Sequence, residues 1–522
     1  AFNTVSAGSF VSLTAEGTGA ADGVFGTDIT AGGTVAIDGP GIAVGGTIQS
    51  DGTLRATAST GGVAIGLADT AGNIIVSAGT DLSGIYRAGG NVELTAGGNV
   101  TAEADAAGGY ADPSGNSLSE GYVFVDAGGD AALTDSSAAT MIGIRTGGAA
   151  SLTGATAGED VFVLAGTTAT LANVTAGDDL TVQAGGAIDA TDAATTGTGP
   201  DGRSVVYAGG GSVPVPFLQI ATTPADLSNV MLTAGTDIAA VRVGAFDNLI
   251  ADAGGAVTGS VIAGGNAFVD AAGAVTLTDS SAGRMFGAAG QAVTLTNLTA
   301  GEDLLASAQG AATLGNVTVG DDLDVRAAGA ITATDASATG LGTDGFTLAY
   351  SPTGGFTIGA GEGASPLDGA DIDLRSSGAS IAASGLSAGD DILLSAATTI
   401  ALDDATTLGL GTTGGDSSIR TSAGDTILSG LDAFSDVIVN TTGRAELSDT
   451  IVAGRDVVVT SATNITGGTI GAGGNLTLVA DGSIAIDSAE TGDDGAVTLS
   501  AGTGIDADEI YSRGVTTLTT DD

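Results

Sequence analysis

Between Ala157 and Asp192 apolar and polar residues alternate in short runs punctuated by glycine, and the run is stated twice with the same spacing. After Ala-Gly-Glu-Asp come Val161 and Val163, and after Ala-Gly-Asp-Asp come Leu180 and Val182, with Phe162 and Thr181 between them free to vary. A period of two marks a strand with one buried face. Gly158 and Gly177 open the two copies, so the period is 19 (158 to 177). Each copy reads as turn, strand, turn, strand. The frame returns as Val92/Leu94, Leu323/Val325, Ile392/Leu394, Val457/Val459 and Leu476/Leu478.

A unit this short cannot bury its apolar side alone and needs a like neighbour above and below. The pattern therefore predicts an all-β chain folded as a parallel β-helix with coils of about 19 residues. Asn173, Asn297 and Asn316 share one position per coil. Two readings stay open: a stacked amide ladder, or simple tolerance of turn geometry. Gly and Asn in AGGTV at 31, AGTDL at 78 and AGGNV at 88 and 96 are expected to supply positive φ to the turns.

Taken in order, residues 1–103 read as coils, and 104–264 as coils holding the first of two duplicated blocks, with an insertion at 200–229. Residues 265–369 hold the second block and an insertion at 340–368, and 370–522 return to coils of one continuous solenoid. The duplication is plain in FVDAGGDAALTDSSA at Phe124 and FVDAAGAVTLTDSSA at Phe268. Six of the 8 prolines fall in the two insertions, together with Tyr207, Phe217, Phe346, Tyr350 and Phe356. Loops that leave a regular scaffold and collect scarce aromatics are candidate recognition elements; the alternative is a spacer or a flap over the core.

Composition sharpens this picture. Only 3% of the 522 residues are aromatic while 43% are hydrophobic, which suits thin layers of Val, Ile, Leu and Ala better than several compact cores. The net charge is −48, with 12 cations, all arginine, against 60 acids. Such a surface disfavours nucleic acid and anionic lipid as partners and discourages sideways aggregation. Cys and His are both 0, which excludes disulfides, thiolate or imidazole metal sites, and Cys or His catalysis. No apolar stretch is long enough to span a bilayer. The start at Ala1 reads as a processed chain or part of a longer one.

The paired acids Asp178-Asp179, Asp321-Asp322 and Asp390-Asp391 have the makings of glycoside cleavage. They recur at one repeat position, however, whereas a catalytic pair is needed once; the expectation is a non-enzyme. Gly197, Gly199 and Asp201, and Gly340, Gly342 and Asp344, are similar to single calcium-binding nonapeptides, a motif that binds in tandem, so Asp201 and Asp344 are weak calcium candidates. No other cofactor is expected.

The repeat AGxDLxVxAxGxIxxx, at 157–192, 300–335 and 388–403, resembles the shaft repeats of filamentous haemagglutinin-like exoproteins exported by two-partner secretion. The resemblance implies a right-handed β-helix standing out from a bacterial cell surface as an adhesin, biofilm fibre or toxin-carrying stick, passed through an outer-membrane transporter during export. The NPNGI and NPNL motifs of the family's secretion domain do not occur here. The expected function is thus a secreted or surface-attached rod of roughly 22 to 26 coils, about 110 to 125 Å long. It would present loops to a receptor or glycan on a host or neighbouring cell. The alternatives are a filament or surface-layer subunit stacking end to end with itself, and a polysaccharide-degrading β-helix enzyme.

Overall fold

Each coil follows from the alternation just described. In Val161–Ala165 the short strand buries Val161, Val163 and Ala165 and turns Phe162 and Leu164 outward. Residues 166–168 turn, Ala169–Ala176 forms a long strand, residues 177–179 turn again, and Leu180 begins the next short strand in register with Val161. Five, three, eight and three residues make up the period.

The long strand is bent, which the sequence pattern did not announce. Its buried positions are Ala169, Leu171, Val174 and Ala176, so the alternation slips by one residue midway. At the slip Asn173 has a φ of 54°. A left-handed residue swings the chain onto a new wall there, giving such a coil three walls, and Asn, Asp and Gly take that conformation at the lowest cost. Asp192, Asn297, Asn316 and Asp335, each with φ of 53°, hold the same place in their coils. Both readings of the asparagine row hold at once: the residues are left-handed, and Asn316 Nδ2 donates to Asn297 Oδ1 while Asn297 Nδ2 donates to Asp279 Oδ1, each at 2.9 Å.

The turn glycines depart from the expectation of positive φ. Gly97 and Gly177 lie outside the left-handed region. A Cβ on Gly177 would stand 1.9 Å from the Gly158 carbonyl oxygen one coil earlier, and one on Gly97 would stand 2.4 Å from the Gly79 oxygen. Close stacking of the corner, rather than torsional freedom, requires glycine there.

The computed structural model describes residues 1–18, 22–108, 121–198, 204–206, 219–221, 228–340, 346–352, 355–360, 369–410, 417–492 and 494–521, with backbone alone for 204–206, 219–221, 346–347 and 357–360. Among them there is no α-helix, and no helix long and apolar enough to cross a membrane. The chain divides into two compact units, Ala1–Gly264 and Gly265–Asp522. The described residues supply eleven short strands to the first unit and twelve to the second. Within each unit the short strands pair in parallel with their neighbours in the next coil, and the long strands do the same. The interior is rows of Val, Ile, Leu and Ala; Tyr86, fully buried, places its hydroxyl on the Ser83 carbonyl at 3.0 Å.

Four connections of eleven residues or more interrupt the stack, between Ala106 and Val123, Thr195 and Val230, Ala338 and Ile372, and Thr407 and Ile419, and a shorter one joins Thr14 to Val24. All four long connections occupy the turn that follows a long strand, so within each unit the insertions leave along one corner.

Candidate functional site

That corner also carries the paired acids. The acid just before each short strand accepts the backbone N–H of its equivalent one coil later: Asp179 to Asp160 at 3.2 Å, Asn229 to Asp179 at 2.9 Å, Asp371 to Asp322 at 3.1 Å, Asp391 to Asp371 at 2.7 Å and Ser418 to Asp391 at 2.6 Å. A carboxylate is a strong acceptor for the N–H that the turn leaves outside the strand ladder. Repetition of Asp at this point is thus explained by coil-to-coil bonding. Among the described residues no group of three or more acids is placed to hold a metal ion.

At two of the four connections, after Thr195 and after Thr407, the preceding acid of the pair closes a latch. Ser228 Oγ donates to Asp178 Oδ1 at 2.8 Å, and Thr195 Oγ1 donates to the Ser228 carbonyl at 3.2 Å while accepting the Phe246 N–H at 2.9 Å. The second unit repeats it: Ser417 Oγ to Asp390 Oδ1 at 2.5 Å, Thr407 Oγ1 to the Ser417 carbonyl at 3.0 Å, and Phe434 N–H to Thr407 Oγ1 at 3.0 Å. The coil is sealed although 50 residues separate Asp179 from Asn229 and 27 separate Asp391 from Ser418. Sequence reasoning missed this latch: Thr195 and Thr407 replace the commoner strand-end Ala, but so do Thr70 and Thr491, whose hydroxyls bond the nearby Gly72 and Gly495 carbonyls instead.

Of the residues expected from the sequence to act in recognition or calcium binding, Asp201, Tyr207, Phe217 and Asp344 lie outside the described residues. Phe346 begins a strand, and its side chain also lies outside them. Tyr350 and Phe356 are described. They belong to an antiparallel hairpin, Phe346–Ser351 with Gly355–Ala360, in which Tyr350 and Phe356 sit directly opposite each other with ring centroids 4.9 Å apart.

This hairpin folds back onto the outer face of short strands earlier in the second unit. Phe356 stacks on Phe268 with centroids 5.4 Å apart and planes 16° from parallel, a favourable aromatic geometry. Leu348 joins Met285 and Leu305 in an apolar cluster, with Phe268, Tyr350 and Phe356 packed around it. The Tyr350 hydroxyl donates to Asp270 Oδ1 at 3.1 Å. Beneath the rings Gly287 makes room: a Cβ there would lie 2.5 Å from Phe356 Cε1 and 2.9 Å from Phe268 Cδ1. As a result Phe286–Gly290 is buried at all five positions, outward ones included. An outward glycine inside a strand is the sequence signal for such close approach.

The electrostatics follow from stacking like charges under cover. Burial raises the Asp160 carboxyl to about 7, and the neighbouring Asp179, Asp178 and Glu159 add to the effect against the Asp179 N–H. The reverse holds where arginine intervenes: the Arg455 guanidinium keeps Asp436 below the usual carboxylate range, and Arg242 does so for Asp192. On the outer face Asp324 and Arg326, and Asp373 and Arg375, form ion pairs in adjacent coils. No known protein family, curated protein or solved structure matches this chain.

Proposed function

We propose that this chain is a structural shaft, secreted to a bacterial cell surface, that carries its insertions outward for attachment to a receptor or glycan. One observation carries the reading: within each unit, coil after coil repeats one frame, and the long insertions leave along a single corner of it. A scaffold that holds its variable segments on one edge suits presentation of loops to another surface. The acids at that corner are engaged in ladders and latches, which speaks for a non-catalytic role. The resemblance of the AGxDLxVxA repeats to exported shaft proteins supports the extracellular placement and passage through an outer-membrane transporter.

The test is attachment of the purified chain to cells and glycan surfaces, beside variants lacking 200–227, 340–368 or both, which keep Ser228 and Asn229. Loss of attachment with an unchanged β-sheet circular dichroism spectrum is the expected result. Attachment that survives removal of both insertions sinks the adhesive reading, and end-to-end filaments in electron micrographs replace it with self-assembly.

A further inference from the structure

In the second unit three successive turns at the insertion corner bring Asp321 and Asp322, Asp371, and Asp390 and Asp391 one above another. Asp321, Asp371, Asp390 and Asp391 are all buried, Asp371 to 1% exposure. Asp371 spends Oδ1 on the Asp391 N–H. Its other oxygen, Oδ2, is buried with no hydrogen-bond partner. A bare carboxylate oxygen out of water is costly, and Asp391, Asp390 and Asp321, the charged groups that act on Asp371 most strongly, are carboxylates.

We propose that Asp371 holds a proton at neutral pH, and that this proton closes the corner of three coils as a pH-sensitive joint. A neutral carboxyl still accepts the Asp391 N–H through Oδ1, and a proton on Oδ2 removes the buried charge. Loss of the proton puts a further negative charge among Asp321, Asp322, Asp390 and Asp391, and the turns separate.

The titration agrees with this geometry. Burial, then Asp391, Asp390 and Asp321, raise Asp371 to about 8, opposed by the Asp391 N–H. A carboxyl held above its unfolded value contributes stability that is fully present below about pH 4, declines as pH rises, and is gone above about pH 8.

The experiment is amide hydrogen exchange on the full chain from pH 5 to pH 9, corrected for intrinsic rates, for the wild type and Asp371→Asn. Asparagine keeps the Oδ1 acceptor and removes the titration. The wild type is expected to lose at least about tenfold protection in 371–376 and 391–396 across that range, since each unit of pKa shift is worth a factor of ten. Asp371→Asn is expected to stay level. Parallel pH curves for the two proteins overturn the proposal. If Asp371→Asn does not fold, the infrared carboxylic-acid band decides, read in an Asp160→Asn background that removes the other carboxyl raised to about 7: survival at pH 7 and fading towards pH 9 supports the proton, absence at pH 7 overturns it. Calcium chloride that raises wild-type protection of these amides at pH 7 also overturns it, by naming a cation as the occupant.

Discussion

The two duplicated blocks share a frame and use it differently. In the first unit Asp126, outward on its short strand, lies in register with Arg145 of the next coil and pairs with it. In the second unit the equivalent Asp270 lies in register with Ala289, and takes the Tyr350 hydroxyl from the hairpin instead. Arg145 is replaced by a side chain too short to reach across, and its neighbouring outward position keeps glycine in both blocks, Gly143 and Gly287. The comparison teaches that the coil sets where a side chain points, while the identity of one or two outward residues sets whether that face carries an ion pair or a docked segment.

Removing the hairpin's anchor should separate the blocks most. Phe356→Ala loses a half-buried ring stacked on Phe268, and local opening of the hairpin should become easier by about 2–3 kcal/mol, read by hydrogen exchange at 348–351. Unit-one amides should not move; unchanged exchange at the hairpin sinks the clamp. Gly287→Ala attacks the same contact from below, driving a methyl into both rings at a cost of about 1–2 kcal/mol, with faster proteolysis of the hairpin as the readout. Tyr350→Phe deletes only the bond to Asp270 and should cost about 1 kcal/mol by the same exchange measurement. Smallest of all is loss of the ion pair. Arg145→Ala breaks a partly exposed pair worth a few tenths to about 1 kcal/mol, read by exchange at 142–146, and exchange at the hairpin should not change. Solenoids open coil by coil, so local exchange rather than one melting temperature is the proper measure throughout.

Much of this was legible in the chain. Alternation at Val161/Val163 and Leu180/Val182, with glycine every coil, dictates parallel strands that need like neighbours, because period-two apolar faces of this length are stable only when stacked. The repeat position of Asp178-Asp179 already pointed to a role in every coil, and Asp179 stands in the coil-to-coil acid ladder. Tertiary structure alone decided the rest, and for one reason: what matters there is contact between residues far apart in sequence. The third wall depends on a left-handed residue inside an apparently continuous strand, at Asn173 or Asp335. The turn glycines answer to a carbonyl one coil away, as Gly177 does to Gly158. In sequence Tyr350 and Phe356 stayed open between recognition residues and a flap over the core; the fold lays Phe356 on Phe268 and Gly287, 88 and 69 residues earlier in the chain. Asp371 looks like any other turn acid in sequence; only burial beneath Asp390 and Asp391 leaves its second oxygen without a partner.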